Sequence, residues 1–297
     1  MAECPVELTN KVKLSCIIVN YNHGAMLKEC LSVLEEELKG IDSEIIVVNN
    51  SPDDAHLEET LQSYPEVRLI QNPSNCGFAK ANNQGVAESR GEILLVLNPD
   101  TVFAPGSVQA LLNFLEERPE VGVVAPKVLN PDGSLQYSCR RFPTLWTGLF
   151  NRYSLLSKWF PDNRFTRHYL MTDFDHAECR EVDWVSGCCM MIPRKVFESV
   201  NGFDENYFLF NEDVDLCKMI AEKAHPVCYY PKAIVFHQII ASSGKSPWWI
   251  IVKRHQGMSH FYRKHSGAGF VTQAMVDILV TLRCVSQLVV NFFKGIS

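Results

Sequence analysis

Leu14-Ser15-Cys16-Ile17-Ile18-Val19 runs into Asn20-Tyr21-Asn22-His23-Gly24, and Glu44-Ile45-Ile46-Val47-Val48 runs into Asn49-Asn50-Ser51-Pro52-Asp53-Asp54. Each apolar run is short, continuous and rich in β-branched residues, which suits a strand buried on both faces. Between them Met26, Leu27, Cys30, Leu31 and Leu34 recur at helical spacing. The stretch therefore reads as strand, helix, strand, with each strand ending in amides and acids.

Working outward, a helix is predicted from Leu57 to Tyr64 and a strand over Val67-Arg68-Leu69-Ile70. A helix from Ala79 to Ser89 and a strand over Ile93-Leu94-Leu95-Val96-Leu97 follow. Alternation of this size means βαβ units and a mostly parallel sheet flanked by helices, an α/β fold. Ligands of such sheets gather at the carboxyl ends of the strands. Here those ends are Asn20-Tyr21-Asn22, Asn49-Asn50-Ser51 and Asn98-Pro99-Asp100. No G-x-G-x-x-G follows the first strand and no G-x-x-x-x-G-K-[ST] occurs, which disfavours a classical dinucleotide fold and a P-loop.

Composition narrows the function classes. The chain has 297 residues, 46% hydrophobic and 21% charged, enough for one large α/β domain or two small ones. A net charge of -6 gives no broad basic surface for nucleic acid. Eleven cysteines are irregularly spaced and form no C-x-x-C pair, so neither a zinc site nor a redox motif is indicated. Met1 to Lys13 carries Glu3 and Glu7 without a long apolar core and does not read as a signal peptide. The expectation is a cytoplasmic protein with reduced thiols, many of them in the core.

The second half carries the candidate chemistry. A polar, aromatic-rich segment from Asn130 to Glu181 contains Arg140 and Arg141, a pair suited to phosphate oxygens or simply to solvent. Strand character returns over Val182-Asp183-Trp184-Val185-Ser186-Gly187 and Cys189-Met190-Met191-Ile192, and Pro193 to Val200 reads as a short helix. Tyr207-Phe208-Leu209-Phe210 then precedes Asn211-Glu212-Asp213-Val214-Asp215-Leu216, with Met219 and Ile220 continuing at helical spacing. Three carboxylates behind an apolar segment are either acids favoured by a helix N-terminus or a site with a general base, for which Asp213 is the candidate. Val227 to Tyr230 and Ala233 to Phe236 read as strands, the second ending at His237.

From Phe270 to Phe293 apolar residues recur at Val271, Ala274, Met275, Ile278, Leu279, Leu282, Val289, Phe292 and Phe293, with Gln273, Asp277, Gln287 and Asn291 on the other side. Asp277 and Arg283 near its middle argue against a transmembrane span. An amphipathic helix is expected, covered by the protein, a second copy in a homodimer, or a bilayer. The chain divides accordingly into residues 1–240 and a helical extension over 241–297.

These pieces, in this order, resemble family 2 glycosyltransferases of the GT-A fold, and more narrowly the bacterial rhamnosyltransferase-like branch. The resemblance rests on Ile17 to Asn22, Asn75-Cys76-Gly77-Phe78-Ala79-Lys80-Ala81-Asn82-Asn83-Gln84-Gly85, Leu97 to Asp100, Asp183 to Gly187, Gly202-Phe203-Asp204-Glu205 and Glu212 to Leu216, and runs from about Leu14 to His265. It implies an inverting hexosyl transfer from a nucleotide-sugar donor, dTDP-rhamnose being the leading choice. The implied acceptor is a saccharide or lipid-linked saccharide of surface polysaccharide synthesis, met at the inner face of the plasma membrane.

The resemblance also assigns roles. Asp213 matches the catalytic base. Asp100 matches the last acid of the family's D-x-D, with His237 as a second ligand for Mg²⁺ or Mn²⁺; Asn98 stands where the first acid would be. Asn20, Asn22, Asn50, Asp53, Asn75, Gly77, Phe78, Asn82 and Asn98 would line the nucleotide-sugar pocket. Trp184, Ser186, Gly187 and Glu212 would face the acceptor. Two further departures are Asn49 in place of an aspartate, and Gln238 to Gly244 in place of a glycine-rich segment after the histidine. Two rival readings stand beside this one: a non-catalytic sugar-nucleotide-binding or scaffold protein on the same fold, and a nucleotidyltransferase. The latter would want a basic, glycine-rich loop after the first strand, and Asn20 to Gly24 contains no basic pair.

Overall fold

The computed structural model describes residues 12–144, 164–238 and 247–293. The first strand, β1 (Leu14–Asn20), lies between β2 (Ser43–Asn49) and β4 (Ile93–Leu97), both parallel to it, and β3 (Arg68–Gln71) extends the sheet beyond β2. The connections are α1 (Gly24–Glu37), α2 (Ala55–Gln62) and α3 (Phe78–Ala87). Every residue of β1 is buried. Cys16 and Ile18 face one core with Leu27, Leu31 and Val47, while Ile17 and Val19 face the other with Ile46, Val96 and Leu216. Helices cover both faces, which is why these strands lack a polar alternation.

Beyond β4 the sheet becomes mixed. The elements there are β5 (Thr101–Phe103), α4 (Ser107–Glu117), β6 (Val123–Leu129), β7 (Cys139–Arg140), α5 (Arg164–Leu170), β8 (Arg180–Val182), β9 (Trp184–Val185), β10 (Cys189–Pro193), α6 (Arg194–Ser199), α7 (Glu212–Glu222) and β11 (Val227–His237). Among the described residues the strand order is β3-β2-β1-β4-β10-β6-β11-β5, with β8 also on β11 and β7 paired with β9 apart. Because β10 runs antiparallel to β4, with Cys189 opposite Leu97, it starts at the edge where β4 ends. Residues 186 to 188 are thereby delivered to the carboxyl edge of the parallel strands.

The two strands expected over Val227–Tyr230 and Ala233–Phe236 form one, with a register shift against β6 between Tyr230 and Ile234. Pro231 has no N–H to give the ladder, so the chain bulges past it and resumes. The helix α8 (Trp248–His265) follows, and α9 (Phe270–Phe293) has the bounds expected from the sequence. Periodicity did not reveal α8, because its buried face is Ile251, His255, Gly257 and Phe261, half of it not apolar. Gly257 is required by proximity: a Cβ there would lie 2.8 Å from Asn211 Nδ2 and 3.0 Å from the Phe210 carbonyl oxygen. The helix thus rests directly on the loop that opens α7. The expected boundary at 240/241, and most of the altered segment after His237, lie outside the described residues.

Candidate active site

At the ends of β1 and β2 the amides hold one another. Asn20 Nδ2 donates to Asn49 Oδ1 at 3.0 Å and to Asp54 Oδ2 at 2.9 Å. Asn49 Nδ2 donates to the Ser51 carbonyl at 2.8 Å and to Gln71 Oε1 at 3.0 Å. Asn50 Nδ2 donates to the Gly77 carbonyl at 3.2 Å, and its Oδ1 accepts from Asn72 Nδ2 at 2.9 Å. A buried amide is costly unless bonded, and these bonds lock the floor of the sheet edge into one shape. Asp54, which caps α2 and accepts from the Gly24 N–H at 3.0 Å, joins this network, while Asp53 is exposed beside it. Asn22 is exposed at φ 57°, a left-handed conformation that asparagine tolerates. Asn72 bonds both Asn50 and Gln84, and Asp54 bonds Asn20; nothing in their local sequence pattern marks these three as members of the network.

The wall from Asn75 to Asn83 is built around a strained turn. Asn75 Oδ1 accepts from the Gly77 N–H at 2.9 Å, and Gly77 has φ 92°. A Cβ there would approach the Phe208 carbonyl oxygen to 2.7 Å, so only glycine fits. The Phe78 N–H donates to that same carbonyl at 2.9 Å, tying this wall to the segment before α7. Asn82 is fully buried; its Nδ2 donates to the Phe78 carbonyl at 2.9 Å, and its Oδ1 has no hydrogen-bond partner. Asn83 clamps Phe203 through both its amide atoms, at 2.8 and 3.0 Å.

Asn98, Asp100 and His237 converge at the end of β4. The register pairs Thr101 of β5 with His237 of β11, which sets Asp100 beside the imidazole. His237 Nε2 lies 3.3 Å from Asp100 Oδ1 and 3.4 Å from Asn98 Nδ2. Gln136 Nε2 donates to the His237 carbonyl at 2.7 Å and to Asn130 Oδ1 at 2.8 Å, which turns its Oε1 toward His237 Nδ1 at 3.1 Å. Nδ1 must then carry the proton, and in the neutral ring Nε2 presents a lone pair. Nε2 meets the Asn98 amide at hydrogen-bond distance and also lies beside Asp100 Oδ1, a buried oxygen without a hydrogen-bond partner. Two acceptors aimed at one point repel unless a cation or a proton lies between them, so the donor set fits a divalent metal. Among the described residues no three His, Cys, Asp or Glu side chains converge to ligate such an ion.

A two-residue turn joins this cluster to the acidic helix. The Asn98 N–H donates to the Cys188 carbonyl at 2.9 Å, and the neighbouring Gly187 N–H donates to Asp213 Oδ2 at 3.0 Å. Burial pushes the Cys188 thiol up to about 12, and the charges of both Asp100 and Asp213 add to the shift, so the two carboxylates flank one position. A Cβ on Gly187 would lie 3.4 Å from the Phe78 ring and 3.5 Å from Asp213 Cβ. Gly187, Phe78 and Asp213 therefore border the same space.

The three acids of α7 have separate environments. Asp215 is 0% exposed and accepts from Tyr207 Oη at 3.1 Å, Lys264 Nζ at 2.8 Å and His265 Nε2 at 2.7 Å. Glu212 is 5% exposed, and its Oε2 is buried without a partner. Burial, then repulsion from Asp213, raises its pKa well above the usual carboxylate range. Asp213 is half-buried. Burial raises its pKa, opposed by hydrogen bonds from the Gly187 and Val214 N–H groups and by the charge of Arg140. Phe210 and Asn211, immediately before the helix, have φ 69° and 72°. Two consecutive left-handed residues, one of them a phenylalanine, concentrate backbone strain where the acids emerge.

Trp184 is buried, donates from Nε1 to the Arg141 carbonyl at 2.8 Å, and lies 5.1 Å under the Arg140 guanidinium. Ser186 is half-buried, and its N–H donates to the Ser138 carbonyl at 2.8 Å. Arg141 is paired with Asp183 at 3.1 Å. Of the two arginines, Arg140 is the one whose charge reaches Asp213.

The comparisons with known proteins agree with one another. A sequence profile described as glycosyl transferase family 2 matches residues 15–200. The N-acetylglucosaminyl-diphospho-decaprenol L-rhamnosyltransferase of Mycobacterium tuberculosis is 32% identical over 266 residues, covering 86% of this chain and 85% of that protein. Rhamnosyltransferase WbbL of Escherichia coli is 26% identical over 232 residues, covering 75% of this chain and 81% of its own. The crystal structure of GalNAc-T7 with UDP, GalNAc and Mn²⁺ superimposes with a TM-score of 0.63 at 17% identity, over 86% of this chain and 48% of that one. The chain spans about half the length of that structure, and the likeness shows the shared fold.

Proposed function

The chain belongs to glycosyltransferase family 2 and has the GT-A fold, and on that premise we propose an inverting, metal-assisted transfer of a deoxyhexose from its nucleotide diphosphate to a lipid-linked saccharide. The observation that carries the mechanism is the separation of the three acids. Asp215 is sealed by three donors and Glu212 is buried, so Asp213 is the acid of the three left open to an acceptor. In a direct displacement the acceptor oxygen bonds to the anomeric carbon as the bond from that carbon to the diphosphate breaks. Asp213 takes the hydroxyl proton. A pKa raised by burial makes it a stronger base than a solvated carboxylate.

Asp100 and His237, with Asn98 beside them, would hold a Mg²⁺ or Mn²⁺ ion whose remaining ligands come from diphosphate oxygens. Such an ion neutralises charge on the departing diphosphate. The amide network at Asn20, Asn49 and Asn50 shapes the floor for the nucleoside, with Asn22 and Asp53 at its rim. The Asn75–Phe78 turn, backed by Asn82, closes one wall. Gly187, with Ser186 and Trp184 behind it, borders the acceptor side, and Arg140 lies where an acceptor diphosphate would approach. The rhamnosyltransferase relatives support rhamnose as the sugar transferred, for which dTDP is the carrier that the resemblance implies, and the mycobacterial relative supports a polyprenyl-diphosphate-linked acceptor in polysaccharide synthesis. The test is nucleotide release from a panel of sugar nucleotides, with N-acetylglucosaminyl-diphospho-polyprenol as acceptor and Mn²⁺ or Mg²⁺ present. Release from dTDP-rhamnose above the other donors is expected; release from none of them would favour the non-catalytic reading.

A further inference from the structure

The helix α9 is built inside out. Its polar stripe is turned toward α8: Asp277 accepts from Arg263 at 3.0 Å, from Gln273 at 2.9 Å and from the Ser259 hydroxyl, while Arg283 reaches Met258 Sδ at 3.6 Å. Gln287 Oε1 is buried on the same side. The opposite side is apolar and open: Phe270 is 88% exposed, Val271 72% and Leu282 62%, with Met275, Ile278, Val285, Val289 and Phe292 along the same ridge. At 24 residues the ridge is about 36 Å long. No water-soluble surface gains by facing such a ridge outward, so something apolar covers it.

Charge decides what. Residues 241–297 hold seven Lys and Arg against one acid, Asp277, a net +6, of which Lys264 is paired with Asp204 and Asp215 outside the segment. The whole chain is at -6, which leaves -12 on residues 1–240. A cationic segment carrying an apolar ridge complements an anionic bilayer. Within α9 Asp277 and Arg283 balance, so pairing two copies through it would gain nothing from charge and would bring the cations of both α8 helices toward each other. By length and composition α9 would also pass for a membrane span. Spanning would require stripping the Asp277 stripe from α8 and burying it in hydrocarbon, which is costly.

We propose that α9 lies in the plane of an anionic membrane surface, its Val271–Phe292 ridge among the acyl chains and its polar stripe held by α8. This deepens the lipid-linked acceptor reading without depending on it, because docking is measured by binding and not by transfer. The experiment is sedimentation of the full chain with phosphatidylcholine vesicles, with and without phosphatidylglycerol. Binding to the phosphatidylglycerol vesicles is expected, weakening as salt is raised. The double substitution Ile278→Ser, Leu282→Ser should lower the partition coefficient on the order of 100-fold. Its melting temperature should match the parent's, since both side chains are exposed. Any of the following results would overturn the proposal. One is an absence of binding, or equal binding by the double variant. Another is a lipid-free dimer in ultracentrifugation that the double substitution dissociates, which would make a second copy the occupant. The last is resistance of the bound chain to alkaline extraction, which would make α9 a span.

Discussion

The Lys264 ammonium on α8 stands 2.8 Å from Asp215 Oδ2 on α7, two residues beyond Asp213. The same nitrogen lies 2.8 Å from Asp204 Oδ2, and His260 approaches that oxygen at 3.1 Å. With His265 on Asp215, the last turn of α8 is bolted to the helix that carries the proposed base. Whatever α9 binds is therefore connected through α8 to the active site.

Removing one partner of a buried ion pair strands the other, so Lys264→Met should cost about 3 kcal/mol in urea unfolding at neutral pH. The acid limb has a definite sign. Hydrogen bonds from Lys264, His260 and Asn206 outweigh burial and hold the Asp204 carboxyl well below the usual carboxylate range. Its contribution is thus present above the unfolded carboxylate pKa, about 4, and is lost as pH falls below it. The difference between wild type and variant should shrink as the pH is lowered below about 4. A difference that grows instead would show that the bridge is not the cause.

Asp213→Asn should lower turnover by about 10²- to 10⁴-fold, the usual contribution of a general base, while donor affinity stays close to wild type. Wild-type turnover should fall on acidification through the raised Asp213 pKa, because the base acts as the anion. Steady-state kinetics with a nucleotide-binding titration checks both, and near-normal turnover in the variant would remove Asp213 from the mechanism.

Glu212→Gln should stabilise the protein, and more at pH 8 than at pH 5. Burial raises the Glu212 pKa, so the wild type is favoured while this group is protonated and loses that stability as pH rises through the folded value. The amide does not titrate. Melting curves across that range decide it, and a gain independent of pH would point to packing instead of charge.

Metal-dependent nucleotide binding should collapse in Asp100→Ala and weaken less in His237→Ala. Gln136→Leu, which removes the group that orients His237, should weaken it about 10- to 100-fold, the usual effect of a partner behind a ligand. Calorimetry with dTDP or UDP, with and without EDTA, measures all three. Equal affinity in EDTA would dispose of the metal.

The parallel half of the sheet was legible in the sequence because strands covered on both faces have no polar alternation and end at sharp breaks, as at Val19–Asn20 and Val48–Asn49. The amide-rich edge and the acidic helix were legible for the same local reason. β5, α4 and α8 were not. β5 spans three residues, too few for a period, and α8 buries a histidine and a glycine where apolar residues would be expected.

Local sequence determined which elements form and where their polar ends cluster, since strand and helix periods are set by neighbours a few residues apart. The tertiary structure decided which acid is open. Asp215 is closed by Lys264 and His265 from about fifty positions away, and nothing around Asp213 announces that it is spared. It also decided that Gln136, 101 positions from His237, sets the tautomer of that ring, and that α9 turns its polar stripe inward. Solvent access and proton position depend on groups brought near only by packing, and the sequence period of a helix is the same whichever face is turned to the protein.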